Sequence, residues 1–262
     1  MKEIVEDILE LHSMKSYPEK IFYNGNLELL QKKKVSIIGS RKPSKYSREM
    51  IHRLSSSLSK SGVCIVSGGA MGIDAIAHNG AGVHNTIAVL PCGLDIKYPS
   101  VNKNLLRDIE ENGLLISQFE DGFKARPWSF VVRNEVVVAL GDILIVGEAE
   151  LDSGSMRSIE FALKMNKEIY VLPQRLGESS ATNKLLTNRE ATAIYDIDTF
   201  VENISGVKER SIVLDEFQEY CKTKPSYEEA LLKFPDRVFE AELQGDIKII
   251  NGYILVGNLD NR

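Results

Sequence analysis

The stretch that most constrains this chain covers residues 63–90. Val63-Cys64-Ile65-Val66 is a short apolar run rich in β-branched residues, the pattern of a strand buried on both faces of a parallel sheet. Ser67-Gly68-Gly69-Ala70-Met71-Gly72 follows at once, then Ile73-Asp74-Ala75-Ile76-Ala77-His78 with helical character, then Thr86-Ile87-Ala88-Val89-Leu90 as the next buried strand. A glycine turn between a parallel strand and a helix exposes backbone N–H groups beside a helix N-terminus. Such a place attracts anions, phosphate above all.

A similar unit precedes it. Val35-Ser36-Ile37-Ile38 reads as a strand and Gly39-Ser40-Arg41-Lys42-Pro43-Ser44 as a turn. A helix capped by Ser44 or Ser47 then runs towards Lys60, with Gly62 as its stop. Two adjacent strand-end loops, one basic and one glycine-rich, would share the carboxyl edge of the sheet, where open α/β sheets bind ligands. Residues 31–53 carry eight basic residues (Lys32, Lys33, Lys34, Arg41, Lys42, Lys45, Arg48 and Arg53) against one acid, Glu49. On a chain of formal net charge −5, a compact basic patch points to a defined anion site rather than to wholesale binding of nucleic acid.

Further strands are expected at Leu114-Leu115-Ile116-Ser117, Ile143-Leu144-Ile145-Val146, 168–173 and, as an edge, 193–195. Ser153, Gly154 and Ser155 form a third strand-end loop with hydroxyls at a helix start. Residues 120–133 read as the least regular part of the core, with a helix beginning at Asn134. They mix Lys124, Arg126 and Arg133 with Phe123, Trp128 and Phe130. Cations interleaved with rings suit a single nucleic-acid strand, because cations track phosphate and each stacked base is worth roughly 1–3 kcal/mol. The same rings could equally anchor the loop to the core.

At 262 residues the chain is long enough for one large α/β domain with small appendages. No apolar run approaches a membrane span, and Glu3, Glu6, Asp7 and Glu10 do not suit a signal peptide. Cys64, Cys92 and Cys221 are odd in number and widely spaced, which fits a reducing cytoplasm better than a disulfide framework or a zinc site. Residues 1–34 form a short N-terminal segment, in which Ile4, Ile8 and Leu11 suggest one small helix ended before Pro18. Residues 35–204 form a Rossmann-like domain, 205–211 a linker, and 212–262 a small winged-helix-like domain of helix, helix and hairpin. Asn251-Gly252 is a strong two-residue hairpin signal. Residues 206–262 hold eight basic and eleven acidic residues, and the second helix would contain Glu228, Glu229, Asp236, Glu240 and Glu242. An acidic helix is badly suited to a DNA groove, which favours a protein-interaction or regulatory role.

Catalytic patterns are missing from the sequence. The four histidines, His12, His52, His78 and His84, show no metal spacing, and there is no Gly-x-Ser-x-Gly elbow or Walker A sequence. Neither glycine loop matches Gly-x-Gly-x-x-Gly, and no acid ends the 63–66 strand to hold a ribose. Asp74 is better placed to orient backbone N–H groups than to act as an acid or base.

Taken in order, Ile38-Gly39-Ser40-Arg41, the run 67–74 with Ala77-His78, the strand 86–90 with Gly93, Asp95, Tyr98 and Pro99, Phe130-x-x-Arg133-Asn134, Ser153-Gly154-Ser155 and Thr182-Asn183 resemble the DprA (Smf) DNA-processing family over about residues 18–200. The resemblance implies an extended Rossmann-like domain that binds single-stranded DNA without a cofactor or metal. It implies a cytoplasmic recombination mediator of natural transformation that protects incoming strands, loads the RecA recombinase and works as a homodimer. By motif, Arg41 would contact phosphate with Gly39, Ser40 and Lys42 beside it. Ser67, Gly68 and Gly69 would offer backbone N–H groups. Phe130 would stack or wedge near a base, with Arg133 and Asn134 lining its pocket and Ser153, Gly154 and Ser155 at the rim. Where relatives commonly carry Arg-Asn-Arg, this chain has Arg133-Asn134-Glu135, and Pro127-Trp128 stands where some carry a basic residue; Arg126 is a candidate substitute. The competing expectation is a nucleoside-monophosphate phosphoribohydrolase, whose Pro-Gly-Gly-x-Gly-Thr-x-x-Glu motif is absent here.

Overall fold

The computed structural model describes residues 2–207, 216–243 and 247–256. They group into two compact units, Met1–Glu209 and Arg210–Arg262.

The first unit is built on a nine-stranded sheet. Its strands are β1 (Lys2–Glu3), β2 (Phe22–Gly25), β3 (Lys34–Ile38), β4 (Cys64–Ser67), β5 (Thr86–Leu90), β6 (Leu114–Ser117), β7 (Ile143–Val146), β8 (Ile169–Val171) and β9 (Thr192–Ala193). Their spatial order is β1-β2-β6-β5-β4-β3-β7-β8-β9. β6 to β9 run parallel, while β2 pairs antiparallel with β6 and β1 with β2. The helices are α1 (Lys45–Lys60), α2 (Ile73–Ala81), α3 (Lys103–Asn112), α4 (Pro127–Leu140), α5 (Ser155–Lys164), α6 (Ser180–Thr187) and α7 (Ile197–Ser205).

The period-two rule sorts the strand residues onto two covered faces. Val35, Ile37, Ile65 and Ile145 pack with Ile51, Leu54 and Leu58 of α1 and with α2 and α7. Ile38, Cys64, Val66, Leu144 and Val146 face the other way, against α4 and α5. Each fully buried aliphatic chain in these layers contributes about 1.5–3 kcal/mol. Ser44 caps α1 as expected, its hydroxyl accepting from the Ser47 amide at 3.2 Å.

Three expectations for the first unit and its end need correction. Residues 1–34 contain no α-helix: the chain forms β1, a 3-10 turn at Leu9–Ser13, β2 and a second 3-10 turn at Leu27–Gln31. Ile8 and Leu11 are buried as a helical face would bury them, but the segment places them with a strand and a 3-10 turn instead, and β2 covers the edge that β6 would otherwise leave unpaired. Helix α4 starts at Pro127, seven residues before the expected Asn134, with Pro at its first position where no N–H is needed. Residues 205 and 206 complete and cap α7, with Gly206 at φ +71°; residues 208–211 of the expected linker lie outside the described residues.

The second unit contains α8 (Glu216–Lys222), α9 (Tyr227–Lys233), α10 (Pro235–Leu243) and the hairpin β10 (Ile247–Ile250) with β11 (Tyr253–Val256). The expected single acidic helix is divided into α9 and α10 at Pro235, which lacks the N–H that a continuous helix needs. Asn251 and Gly252 both have positive φ, 52° and 80°, and form the two-residue turn. Phe217, Cys221, Ala230, Val238, Ala241, Ile247 and Ile254 make a small core.

Candidate nucleic-acid interface

The chain reverses its direction of travel across the sheet at β3, with β4 on one side and β7 on the other. The loops that leave these strands interlock through their backbones. Gly72 has φ +79°, and a Cβ there would lie 2.2 Å from the Ser40 carbonyl oxygen, so the glycine loop can rest on the Gly39–Arg41 turn only without a side chain at this position. The Ile73 amide donates to the Ser40 oxygen at 3.0 Å. On the other side, the Ser40 amide donates to the Glu148 carbonyl at 2.7 Å.

Some of the amides expected to face phosphate are engaged within the protein. Three helix starts on this edge are occupied by the protein's own carboxylates. Asp74 accepts from the Ala70 amide at 3.3 Å at the start of α2. Glu148 accepts from the Ser44 amide at 2.9 Å at the start of α1. Glu150 accepts from the Ser179 and Ser180 amides, both at 3.0 Å, at the start of α6. A second anion at any of them would meet like charge. The loop carbonyls are also taken. Asn102 donates to the Gly69 and Ala70 oxygens at 3.0 Å each, and Arg133 donates to the Gly68 oxygen.

What remains open is a narrow cleft of about 30 Å³ lined by Arg41, Gly68, Ala70, Met71, Pro91, Tyr98, Pro99, Phe130 and Arg133. Phe130 is half-buried at its centre. The Arg41 and Arg133 guanidinium carbons lie 5.8 and 5.9 Å from its ring centroid, and Tyr98 meets it edge-on at 5.7 Å. Arg41 is exposed, as are Met71 (43%) and Tyr98 (45%). The mouth of the cleft therefore offers one free cation and three apolar surfaces, of which two are aromatic. Stacking surfaces beside a cation can take a base and its phosphate together.

Helix α4 sets the position of Phe130. Its first turn is tied down by Ser129, whose hydroxyl accepts from the Arg126 amide at 2.9 Å and donates to the Pro91 carbonyl at 2.7 Å. The preceding loop is clamped to the β5 exit, with the Gly122 amide donating to Asp95 at 2.9 Å and the Gly93 amide to the Phe123 carbonyl at 2.9 Å.

Arg133 lies beneath the cleft rather than in it. The residue is only 4% exposed, and its Nη1 donates to the Gly68 and Val89 carbonyls, the latter at 2.9 Å. Its Nε donates to Asn134 Oδ1 at 2.9 Å. A Cβ on Gly68 would sit 2.3 Å from Arg133 Nη1 and 2.8 Å from Asp74 Oδ2, so this glycine fills the gap between a buried cation and a buried carboxyl. Burial pushes the Asp74 carboxyl upward, while Arg133 and the Ala70 and Gly68 amides pull it back. One turn on, His78 is fully buried and its Nδ1 lies 2.7 Å from the Thr86 hydroxyl. Thr86 donates onward to the Ile65 carbonyl, so the ring presents Nδ1–H to it. Burial, with Arg133 nearby, pulls the imidazole down to about 3, and it is neutral at ordinary pH.

The expected site residues are thus only partly assembled. Arg41, Gly68, Phe130 and Arg133 converge, with Gly39, Ser40, Ser67 and Gly69 as backbone support and Asn134 bonded to Arg133. Lys42 stays exposed on the same turn, its amide on Ser40 Oγ at 3.1 Å. Trp128 faces a different groove and packs edge-on to Phe119 and Phe123, while Arg126 lies over the Phe123 ring and does not line the cleft. Ser153, Gly154 and Ser155 stand beyond β7, with the Ser153 hydroxyl on the Glu150 carbonyl at 2.6 Å, and none of them lines the cleft. The basic run is not one patch. Lys32, Lys33 and Lys34 sit at the amino end of β3 and Arg41 beyond its carboxyl end, and the Lys34 ammonium is buried on Glu10 at 2.6 Å. Tyr98 and Met71 were not among the expected site residues. The signal for them was present, since both follow strand ends on the edge that carries Arg41.

Known proteins resemble this chain in sequence and fold. The profile of the family described as DNA recombination-mediator protein A matches residues 8–205. The DNA processing protein A of Helicobacter pylori, whose structure concerns a single-stranded DNA binding mode, superposes with a TM-score of 0.76 at 40% identity, covering 78% of this chain and 94% of that one. The DprA structure from Streptococcus pneumoniae gives a TM-score of 0.68 at 33% identity, covering 74% and 70%. In sequence, Protein Smf of Synechocystis is 35% identical over 216 residues, 80% of this chain and 53% of the relative. The DNA processing protein DprA of Streptococcus pneumoniae is 36% identical over 166 residues, 63% of this chain and 58% of the relative, so the chain spans a little over half the length of these two relatives. With an interlocked Rossmann-like edge, its motifs in order and this profile across most of its length, the chain belongs to the DNA recombination-mediator protein A (DprA/Smf) family.

Proposed function

We propose that this protein binds single-stranded DNA at the Arg41–Tyr98–Phe130 cleft and acts as a recombination mediator in natural transformation. The observation that carries the reading is the composition of that cleft: an exposed guanidinium 5.8 Å from a half-buried ring, with a second exposed ring beside it, on an edge where three of the helix starts already hold carboxylates. Rings read any base and the cation reads phosphate, so binding has little sequence preference and falls with salt. The single-stranded DNA binding mode of the Helicobacter pylori relative supports the same ligand.

Protection of incoming strands, loading of RecA, a homodimeric state and a cytoplasmic site of action belong to the proposal, supported by family membership. Among the described residues, no helix is long and apolar enough to cross a membrane. The acidic second unit, arranged as three helices and a hairpin, is assigned a winged-helix-like role in protein interaction or regulation, because Glu228, Glu229, Glu240 and Glu242 are exposed on its helices. The phosphoribohydrolase reading loses ground here. It needs a free anion site and an enclosed pocket of roughly 300 Å³ or more, against about 30 Å³ in this cleft.

The test is fluorescence anisotropy of labelled oligo-dT with the wild type and Phe130→Ala. Salt-sensitive binding that weakens about tenfold or more in the variant supports the assignment. Equal affinity in a folded Phe130→Ala protein removes the cleft from the binding surface.

A further inference from the structure

We infer that the same strand has a second base-stacking station on the far side of the first turn of α4, a ledge made by Trp128, Phe119 and Phe123 with Arg126 at its edge. The inference rests on the single-strand reading above and adds where the strand goes on leaving the cleft.

Trp128 and Phe130 are two residues apart on one helix, which puts them about 200° apart around its axis. Phe130 points to Arg41, and Trp128 points to a separate groove of about 580 Å³ that also includes Pro18, Phe22, Gln118, Phe119 and Val132. Phe119 and Phe123 stack at 4.4 Å with their planes 10° apart, and Trp128 closes on them edge-on at 5.7 and 5.6 Å. Rings that merely sealed the core would be covered, yet Trp128 is 50% exposed. The Arg126 guanidinium lies 5.8 Å from the Phe123 centroid, a cation within reach of a phosphate beside the ledge.

Two further observations point to a nucleobase. Gln118 lines this groove, and its Oε1 is buried without a hydrogen-bond partner, so a turn of the side chain towards the groove would give a base N–H an unsatisfied acceptor. The first turn of α4, which a strand must round to reach the ledge from the cleft, contains no acidic residue. Glu19 and Glu120 also line the groove, and Lys20 pairs with Glu120 at 3.4 Å. A helix with its side chains is about 10–12 Å across. One nucleotide cannot serve both stations, so short oligomers fill the cleft alone and longer ones reach the ledge.

Trp128 is the only tryptophan of the chain, so its emission reports the ledge directly. Oligo-dT of about 4 and about 12 nucleotides is titrated into the full-length protein, with anisotropy of a label on the oligomer and Trp128 emission read together, and acrylamide access measured at saturation. The inference expects both oligomers to bind, the longer one alone to quench emission by about half and shield Trp128 from acrylamide, and Trp128→Ala to weaken the longer one about tenfold. Binding of the longer oligomer with unchanged emission and unchanged acrylamide access overturns the ledge and leaves the single-strand reading standing. Equal quenching by both lengths overturns the two-station path. No binding by anisotropy overturns the single-strand reading and the ledge with it.

Discussion

Replacing Arg133 with alanine separates two roles that the sequence alone cannot. By motif this residue would contact DNA, yet the structure buries its guanidinium on the Gly68 and Val89 carbonyls and across Gly68 from Asp74. Removing this buried guanidinium costs about 3–5 kcal/mol, because two carbonyls lose their donor and the buried Asp74 carboxyl loses a neighbouring cation in a medium poor in water. Stability totals of about 5–15 kcal/mol make that a fifth or more of the whole. At about 2–4 °C per kcal/mol for a domain of this size, the melting temperature should fall by about 10 °C. Asp74→Asn alone should cost less, since Arg133 keeps its two carbonyls. In the pair Asp74→Asn/Arg133→Ala the losses should fall short of additive, because the second change no longer strands a charge. Thermal and urea unfolding of the four proteins measures this directly. An Arg133→Ala protein that melts with the wild type but binds oligo-dT more weakly would refute the buried-support account and make Arg133 a DNA contact.

Other outcomes follow from the same geometry. Arg41→Ala should lower affinity for single strands about tenfold and reduce the salt slope by about one, with an unchanged melting temperature, as an exposed phosphate contact would; a lowered melting temperature would show that it is structural. Gly68→Ala should partly reproduce the stability loss of Arg133→Ala, since its Cβ would stand 2.3 Å from Nη1, and a melt equal to wild type would contradict that contact. His78 gives a pH signature. Its native value of about 3 against 6.5 in the unfolded chain means that the unfolded state takes up the proton first, so stability present above about pH 6.5 is lost towards pH 3. At 1.36 kcal/mol per unit the loss by pH 5 is about 2 kcal/mol. Asp74, pushed up by burial, acts in the opposite sense, its stabilisation present in acid and lost as pH rises. Denaturant titrations at pH 7 and 5 should therefore show a difference that shrinks by about 2 kcal/mol in His78→Leu, and an unaltered difference would remove His78 from the account.

Much of the fold is legible because its causes are local. The runs 35–38, 64–67, 86–90 and 143–146 are almost wholly apolar, which suits a covered parallel strand, and Ser44 marks a helix start by its own chemistry. The start of α4 was missed because Arg126-Pro127-Trp128 looks like a break. Proline at the first helical position has the opposite meaning, and Ser129 two residues later supports it. The charge patch was misread because adjacency in sequence is not adjacency in space: Lys34 begins β3 and Arg41 follows its end, so the strand holds them apart. The filling of three helix starts by Asp74, Glu148 and Glu150 could not be read at all. Glu150 reaches Ser179 and Ser180 across about thirty residues of chain, and only the folded edge brings them together. What sequence order did carry was the pairing of Arg41 with Phe130, through motifs whose spacing is unremarkable until the sheet aligns them.

The most direct test of the central claim is photocross-linking of a single strand containing 5-iodouracil, followed by peptide mapping. The account predicts adducts on Phe130, Tyr98 or Met71, reduced by competing unlabelled oligo-dT far more than by duplex DNA or a mononucleotide. Adducts confined to the amino end of the sheet around Lys32–Lys34 or to the acidic second unit, with the cleft peptides unmodified, would contradict it.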